Sequence, residues 1–289
     1  MRQAHLRGRG PHLPPLDKVR QYDVEPGYVA FTMPVPKRLR VIVGETVVAD
    51  TVNGVILHES DHIPVYYFPL RDIRTDLMSA SGRLTVDPFK GEARYYSLKL
   101  GDEVIPDFMW RYAAPGRSGP DIGDHASFDW EKARWFEEDE EIFVHPRDPF
   151  RRVDTLPSSR HVEIFLNGEL IADSRAAVFL FETGLPTRFY LPLDDVRREF
   201  LTASDTRSRC PYKGIASYYH ATVKGKHYPD LAWYYPEPVH ESAKIKGLVS
   251  FANEFVDRVL VDGVEQARPV TSFSHGSDRG AAHPLSTSQ

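Results

Sequence analysis

A single cysteine, Cys210, stands among 289 residues. One thiol excludes an internal disulfide framework and any zinc site built from several cysteines. Long apolar runs are missing too, since no stretch reaches the ~20 consecutive apolar residues of a membrane-spanning helix. The arginines, histidines and prolines of residues 1–15 stand where a secretory signal needs an apolar segment. A cytoplasmic protein with no membrane partner is therefore expected. Neither sign of charge dominates: 36 Lys+Arg face 41 Asp+Glu, a net charge of −5, so no global positive field invites nucleic acid. Apolar residues at 41% suffice for one or two cores in a chain of this length. Composition thus defines a soluble globular chain and no reaction.

What is present is a repeat. Asp50 and Asp173 stand 173 − 50 = 123 positions apart, and that offset aligns residues 49–115 with 172–238 without a gap. Identical residues fall at 23 of those 67 positions, whereas unrelated chains agree at about one position in fifteen. Duplication of one unit explains this most simply. Tyr67, Pro69, Leu70, Asp72 and Arg74 answer Tyr190, Pro192, Leu193, Asp195 and Arg197. Pro88, Lys90, Gly91, Ala93, Tyr95 and Tyr96 answer Pro211, Lys213, Gly214, Ala216, Tyr218 and Tyr219, and Pro106, Asp107, Trp110 and Tyr112 answer Pro229, Asp230, Trp233 and Tyr235. A fainter likeness of residues 27–31 to 247–251, with Phe128 at the common offset from Phe251, predicts terminal strands shared between the copies.

Local patterns favour strands. Val162 to Leu166 leads into Asn167-Gly168, a pair that tolerates the positive φ of a two-residue hairpin turn, and Leu170-Ile171-Ala172 returns. Extended segments are predicted at 178–182, 188–191, 216–223 and 231–235, with a further hairpin at Asp262-Gly263. The best helix candidate is Asp194 to Leu201, with acidic residues at its start and Val196, Phe200 and Leu201 on one face; its twin is Arg71 to Met78. Residues 1–24 and 268–289 have compositions that bury little and are read as disordered tails. This leaves a first repeat unit at 25–150 and a second at 151–267. The acidic run Glu137 to Glu141 and the polar stretch 146–160 are read as the solvated end of the first copy and the junction.

Asn167-Gly168-Glu169, Ala172-Asp173-Ser174, Glu182-Thr183-Gly184, Tyr190-Leu191-Pro192, Asp195-Val196-Arg197, the run Cys210 to Tyr218 and Trp233 to Pro238 together resemble domain-of-unknown-function family 427. The resemblance is strong over residues 160–263 and weaker over 39–128. It implies a mainly antiparallel β fold similar to the β-tent group that includes methionine sulfoxide reductase B, present twice in tandem with a short helix in each unit. The family has carried a nucleotidyltransferase label, but neither a glycine-rich phosphate loop nor a paired-carboxylate metal motif stands in this chain. The first copy departs from the pattern where Asp87 replaces Cys210 and Phe89 replaces Tyr212.

His58-Glu59-Ser60-Asp61-His62 spells the zinc-peptidase pattern HExxH, which requires a helix to bring both histidines to one face. The stretch follows a strand-like run, meets Pro64, and keeps only its glutamate in the second copy, as Glu182; no metal and no cofactor are expected. Cys210 and Lys213 are the candidate catalytic residues, the lysine able to favour the thiolate; His220 and His227 lie nearby in the chain, but no histidine is assigned as a base. Tyr190, Arg197, Tyr218 and Trp233 are the candidate ligand-binding residues. In strands, Tyr218 faces away from Tyr219, while Trp233 and Tyr235 share a face. The simpler readings are that the aromatics fill a core, that Arg197 is a structural ion-pair partner and that Asp195 caps a turn. The function expected is small-molecule binding, with any catalysis in the second unit; the rival is a non-catalytic structural or protein-interaction module. Intramolecular pairing of the two repeats within a monomer is the expected assembly.

Overall fold

Alternation builds the strands. In Val162–Leu166 the first, third and fifth residues are buried and the two between are half-exposed, the period of a strand with one face on a core. The computed structural model describes residues 19–25, 28–60, 62–112, 120 and 122–271, and the chain divides into two units, Met1–Pro149 and Phe150–Gln289. The first holds β1 (Arg20–Glu25), β2 (Tyr28–Pro34), β3 (Leu39–Val43), β4 (Thr46–Thr51), β5 (Val55–Glu59), β6 (Val65–Pro69), β7 (Met78–Asp87), β8 (Gly91–Leu100), β9 (Glu103–Tyr112), β10 (His125–Phe128), β11 (Arg134–Glu137) and β12 (Glu140–Ile142). The second holds β13 (Val153–Ser158), β14 (Val162–Leu166), β15 (Glu169–Ser174), β16 (Ala177–Glu182), β17 (Arg188–Leu191), β18 (Leu201–Cys210), β19 (Gly214–Val223), β20 (Lys226–Tyr234), β21 (Val249–Phe251), β22 (Arg258–Val261) and β23 (Val264–Glu265).

Each unit is mainly β and contains two sheets. In the second, β13-β16-β17-β21-β20-β19-β18 form one sheet and β15-β14-β22-β23 the other. The first unit repeats this order as β2-β5-β6-β10-β9-β8-β7, with β1 added at the edge, and β4-β3-β11-β12. The common offset reaches beyond the residue identities: β14, β18 and β19 match β3, β7 and β8 end to end, and the bulges in the β18–β19 and β19–β20 ladders recur at the same positions in the first unit. Among the described residues every strand pairs inside its own unit, and the predicted sharing of terminal strands is not found there. Residues 28–34 form β2, which pairs with β5, whereas 249–251 form β21 between β17 and β20; the likeness reflects apolar strand composition, not position in the sheet. At Asn167-Gly168 and Asp262-Gly263 both turn residues have positive φ, as does Lys224-Gly225, and each closes a hairpin.

Between the two sheets of the second unit lie Val162, Ile164, Leu191, Val249 and Phe251; in the first, Leu39, Phe68, Phe128 and Trp135 fill the same layer. The helix expected at Asp194–Leu201 is instead two 3-10 turns, Leu193–Asp195 and Arg198–Phe200, and its twin is Leu70–Asp72 and Thr75–Leu77. Val196, extended between the turns, bridges to Ala172 and buries its side chain, and this docking onto β15 prevails over the helical spacing. Part of each expected tail is structured. Arg20–Glu25 pairs with β2, Arg268 donates to the carbonyls of Val256 and Asp257, and Thr271 donates to Glu254. Residues 1–18 and 272–289 lie outside the described residues. The acidic run is not a uniformly solvated end either: Glu137 is buried, accepts from the Tyr66 hydroxyl at 2.7 Å and pairs with Lys37. Among the described residues no helix is long and apolar enough to cross a membrane.

Candidate functional site

The face of the seven-stranded sheet turned away from the four-stranded sheet carries most of the retained aromatics. Strand alternation sends Phe179, Phe189 and Tyr219 to the inter-sheet core and Val178, Tyr190 and Tyr218 to this opposite face. Cross-strand register then makes a row: Val178 stands opposite Tyr190, Tyr190 opposite Ser250, Ser250 opposite Trp233, and Trp233 opposite Tyr218. Trp233 Nε1 donates to the Tyr190 hydroxyl at 3.0 Å, and Tyr218 shares a 2.6 Å hydrogen bond with Ser208. The first unit repeats the row with Val55, Tyr67, Ser127, Trp110 and Tyr95, and Tyr95 meets Thr85 in place of Ser208.

One member of the row is out of balance. Ser250 is fully buried and its hydroxyl has no hydrogen-bond partner; Ser127, its equivalent, is in the same state. Leaving a buried hydroxyl unpaired costs roughly 1–3 kcal/mol, yet both copies keep it. Burial also raises the pKa of the Tyr190, Tyr218 and Tyr235 hydroxyls, with the Cys210 side chain adding to the effect in each case. These phenols stay protonated near neutral pH.

At the rim of the row lies an ion pair. Lys213 Nζ meets Glu182 Oε2 at 2.5 Å, with side-chain exposures of only 11% and 5%. Glu182 is on β16 and Lys213 in the β18–β19 hairpin, with β17, β21 and β20 between. In a flat sheet four strand spacings would hold them roughly 19 Å apart, so the sheet curls until its hairpin returns over β16. Gly214 makes the return possible: its φ is +102°, and an added Cβ would sit 3.1 Å from the Glu237 carbonyl oxygen. Ser242, fully buried in the segment His240–Ile245, donates to the Tyr212 carbonyl and fastens the cover.

The two rims differ in charge. In the second unit Arg151 also reaches Glu182, at 3.4 Å, so two cations face one carboxylate beside Cys210. In the first unit Lys90 is held at 2.8 Å by Glu59 and 2.9 Å by Asp87, and Tyr28, at the position of Arg151, donates to Glu59. Asp87 feels burial, which works to raise its pKa, but the Lys90 ammonium and the amides of Lys90 and Phe89 outweigh it and hold the carboxyl below its ordinary range. Beside the second row, Arg188 makes a bidentate pair with buried Glu254 at 2.7 and 2.6 Å and lies 5.5 Å from the Trp233 ring centre.

The structure therefore brings together Cys210, Lys213, Tyr190, Tyr218 and Trp233. Arg197 is placed elsewhere. It pairs with Glu199 and Glu169 and lies over Phe200 on the side of the four-stranded sheet, because the docking of Val196 onto β15 carries its neighbour there. His220 accepts the Asp230 amide through Nδ1, and Asp230 also holds Ser204 and Thr206 at the bulge. Asp107 and Asp230 both have positive φ, so the retained Pro-Asp pairs are backbone devices. In the HExxH stretch, β5 ends at Glu59, and a strand sends His58 to stack on Phe31 while Glu59 turns to Lys90. Sequence reasoning missed Ser250, Ser127 and Arg151. Carrying the 123-residue offset past its best window would have paired the two serines.

These features define a tandem of two antiparallel β units, each with a curled sheet, a Tyr-Ser-Trp-Tyr row and a lysine–glutamate pair at the rim. The chain belongs to the family described as domain of unknown function DUF427, which matches residues 32–139 and again 154–262. A comparison with curated proteins finds no match.

Proposed function

We propose that the protein binds a small molecule within the curled sheet of its second unit, over Tyr190, Ser250, Trp233 and Tyr218, with Lys213 and Arg151 at the rim. The unpaired, fully buried hydroxyl of Ser250 carries this reading: an acceptor or donor from a ligand completes its hydrogen bonding. Half-exposed Trp233, Tyr218 and Cys210 give access to the row. Two rim cations against one carboxylate favour a ligand with an anionic group. Binding is favoured over thiol catalysis because the hydroxyls near Cys210 are protonated and Glu182 is committed to Lys213 and Arg151.

The test is a thermal-shift screen of the whole chain against nucleotides, carboxylic acids and amines, since a ligand of the folded state raises its melting temperature. Anionic compounds are expected to score and amines to fail. Ser250→Ala should raise the melting temperature of the free protein by removing an unpaired buried hydroxyl, and should weaken the response to each hit. A variant that loses stability while responding like the parent would mark the row as ordinary core, leaving the structural-module reading.

A further inference from the structure

The first unit has a second hollow, on the opposite face of its large sheet. A cleft of about 450 Å³ opens there, its floor made by Met78, Ala80, Tyr96 and Met109, with Arg71 and Arg111 at its edge. Its size falls within the range of small-molecule sites. Arg71 is 68% exposed, with its nearest carboxylate, Asp72, at 3.9 Å; Asp72 itself accepts from Thr51. Arg111 donates through Nη2 to the Gly123 carbonyl, while its Nε is buried without a partner. The neighbouring Asp124 carboxylate is taken by His125 and that of Asp76 by Arg74. Among the described residues, two guanidinium groups thus border an apolar lining with incomplete compensation.

The second unit differs at both arginine positions. At the position of Arg111 stands Tyr234, which stacks on Tyr219 with ring centres 5.1 Å apart. At that of Arg71 stands Asp194, which binds Arg198 and neutralises it. The two copies therefore differ here: a Tyr219–Tyr234 ring contact and an exposed Asp194–Arg198 pair stand in one where Arg111 and Arg71 line the cleft of the other.

We infer that the cleft bordered by Arg71 and Arg111 binds a small carboxylate with an apolar body, an aliphatic or aromatic acid whose head meets the guanidinium groups and whose body covers the methionines. Guanidinium is suited to this task by its planar donor fork, and the polarisable, flexible methionines adapt to varied apolar shapes. The site is separate from the Tyr-Ser-Trp-Tyr row and does not depend on it.

Calorimetric titration of the full chain with octanoate, benzoate and the uncharged octanamide tests this. The acids should bind and octanamide should bind at least roughly tenfold more weakly, the worth of a charge-assisted contact. Arg71→Asp, an exposed change that leaves the core untouched, should weaken the acids by a similar factor. Arg111→Tyr, which installs the side chain of the second unit, should do so as well. Equal binding of octanoate and octanamide, or full acid affinity in a folded Arg71→Asp/Arg111→Tyr protein, would overturn the assignment.

Discussion

Lys213 shows how a site residue can double as a structural one. From sequence it is a turn lysine before a glycine, free to meet a ligand; in the fold its ammonium is nearly buried against Glu182. Removing one partner of a buried pair leaves the other charge stranded, at a typical cost of about 3–5 kcal/mol. Lys213→Met should therefore lower the melting temperature clearly, with Arg151 limiting the loss, and adding Glu182→Leu should recover most of it. A single variant that melts like the parent would contradict the burial. Glu254 gives a pH counterpart. Burial works to raise its pKa, but the hydrogen bonds and charge of Arg188 prevail and lower it. A depressed carboxyl contributes stability above its unfolded value of ~4.3, lost as pH falls through the lower folded value. The stability gap between the parent and Glu254→Gln should thus narrow on acidification below about pH 4, measured as melting temperature against pH. A gap constant down to strong acid would refute the coupling.

Among the elements, legibility followed how local the cause is. Asn167-Gly168 and Asp262-Gly263 were readable as hairpins because positive φ at two consecutive residues is a property of the residues themselves. Asp194–Leu201 was misread because its helical spacing is real, yet eight residues cannot sustain an isolated helix, and the tertiary bridge of Val196 to Ala172 decides the conformation. Residues 1–24 were misjudged in part for a related reason. The backbone of Arg20–Glu25 is held by the ladder to β2, which composition does not reveal. Arg197 belongs with these cases, since its placement follows the docking of its neighbour and not its own side chain.

At the scale of the molecule, the closure of every described strand ladder within one unit predicts that the units are separately foldable. A fragment of residues 150–271 should give a cooperative thermal transition and the far-ultraviolet signature of antiparallel sheet. An unfolded fragment would show that the ladders are not sufficient. The same duplication lets the copies diverge without loss of fold. The rim keeps its lysine and glutamate while Cys210 and Asp87 trade places, and on the other face Tyr234 stacks on Tyr219 where the first copy has Arg111 lining a cleft.

The sequence by itself determined the tandem, the mainly β character, the hairpin turns and the family, because a duplication, a period of two and a positive φ are all local or self-referring signals. It also marked most of the residues of the candidate site. Only the tertiary structure decided that Glu182 closes on Lys213 and that Ser250 joins the row. It likewise put Arg197 on the other side and opened a cleft beside Arg111. Those outcomes depend on how a seven-stranded sheet curls and which strands become neighbours. Strand order brings together residues dozens of positions apart, and no spacing along the chain encodes that directly.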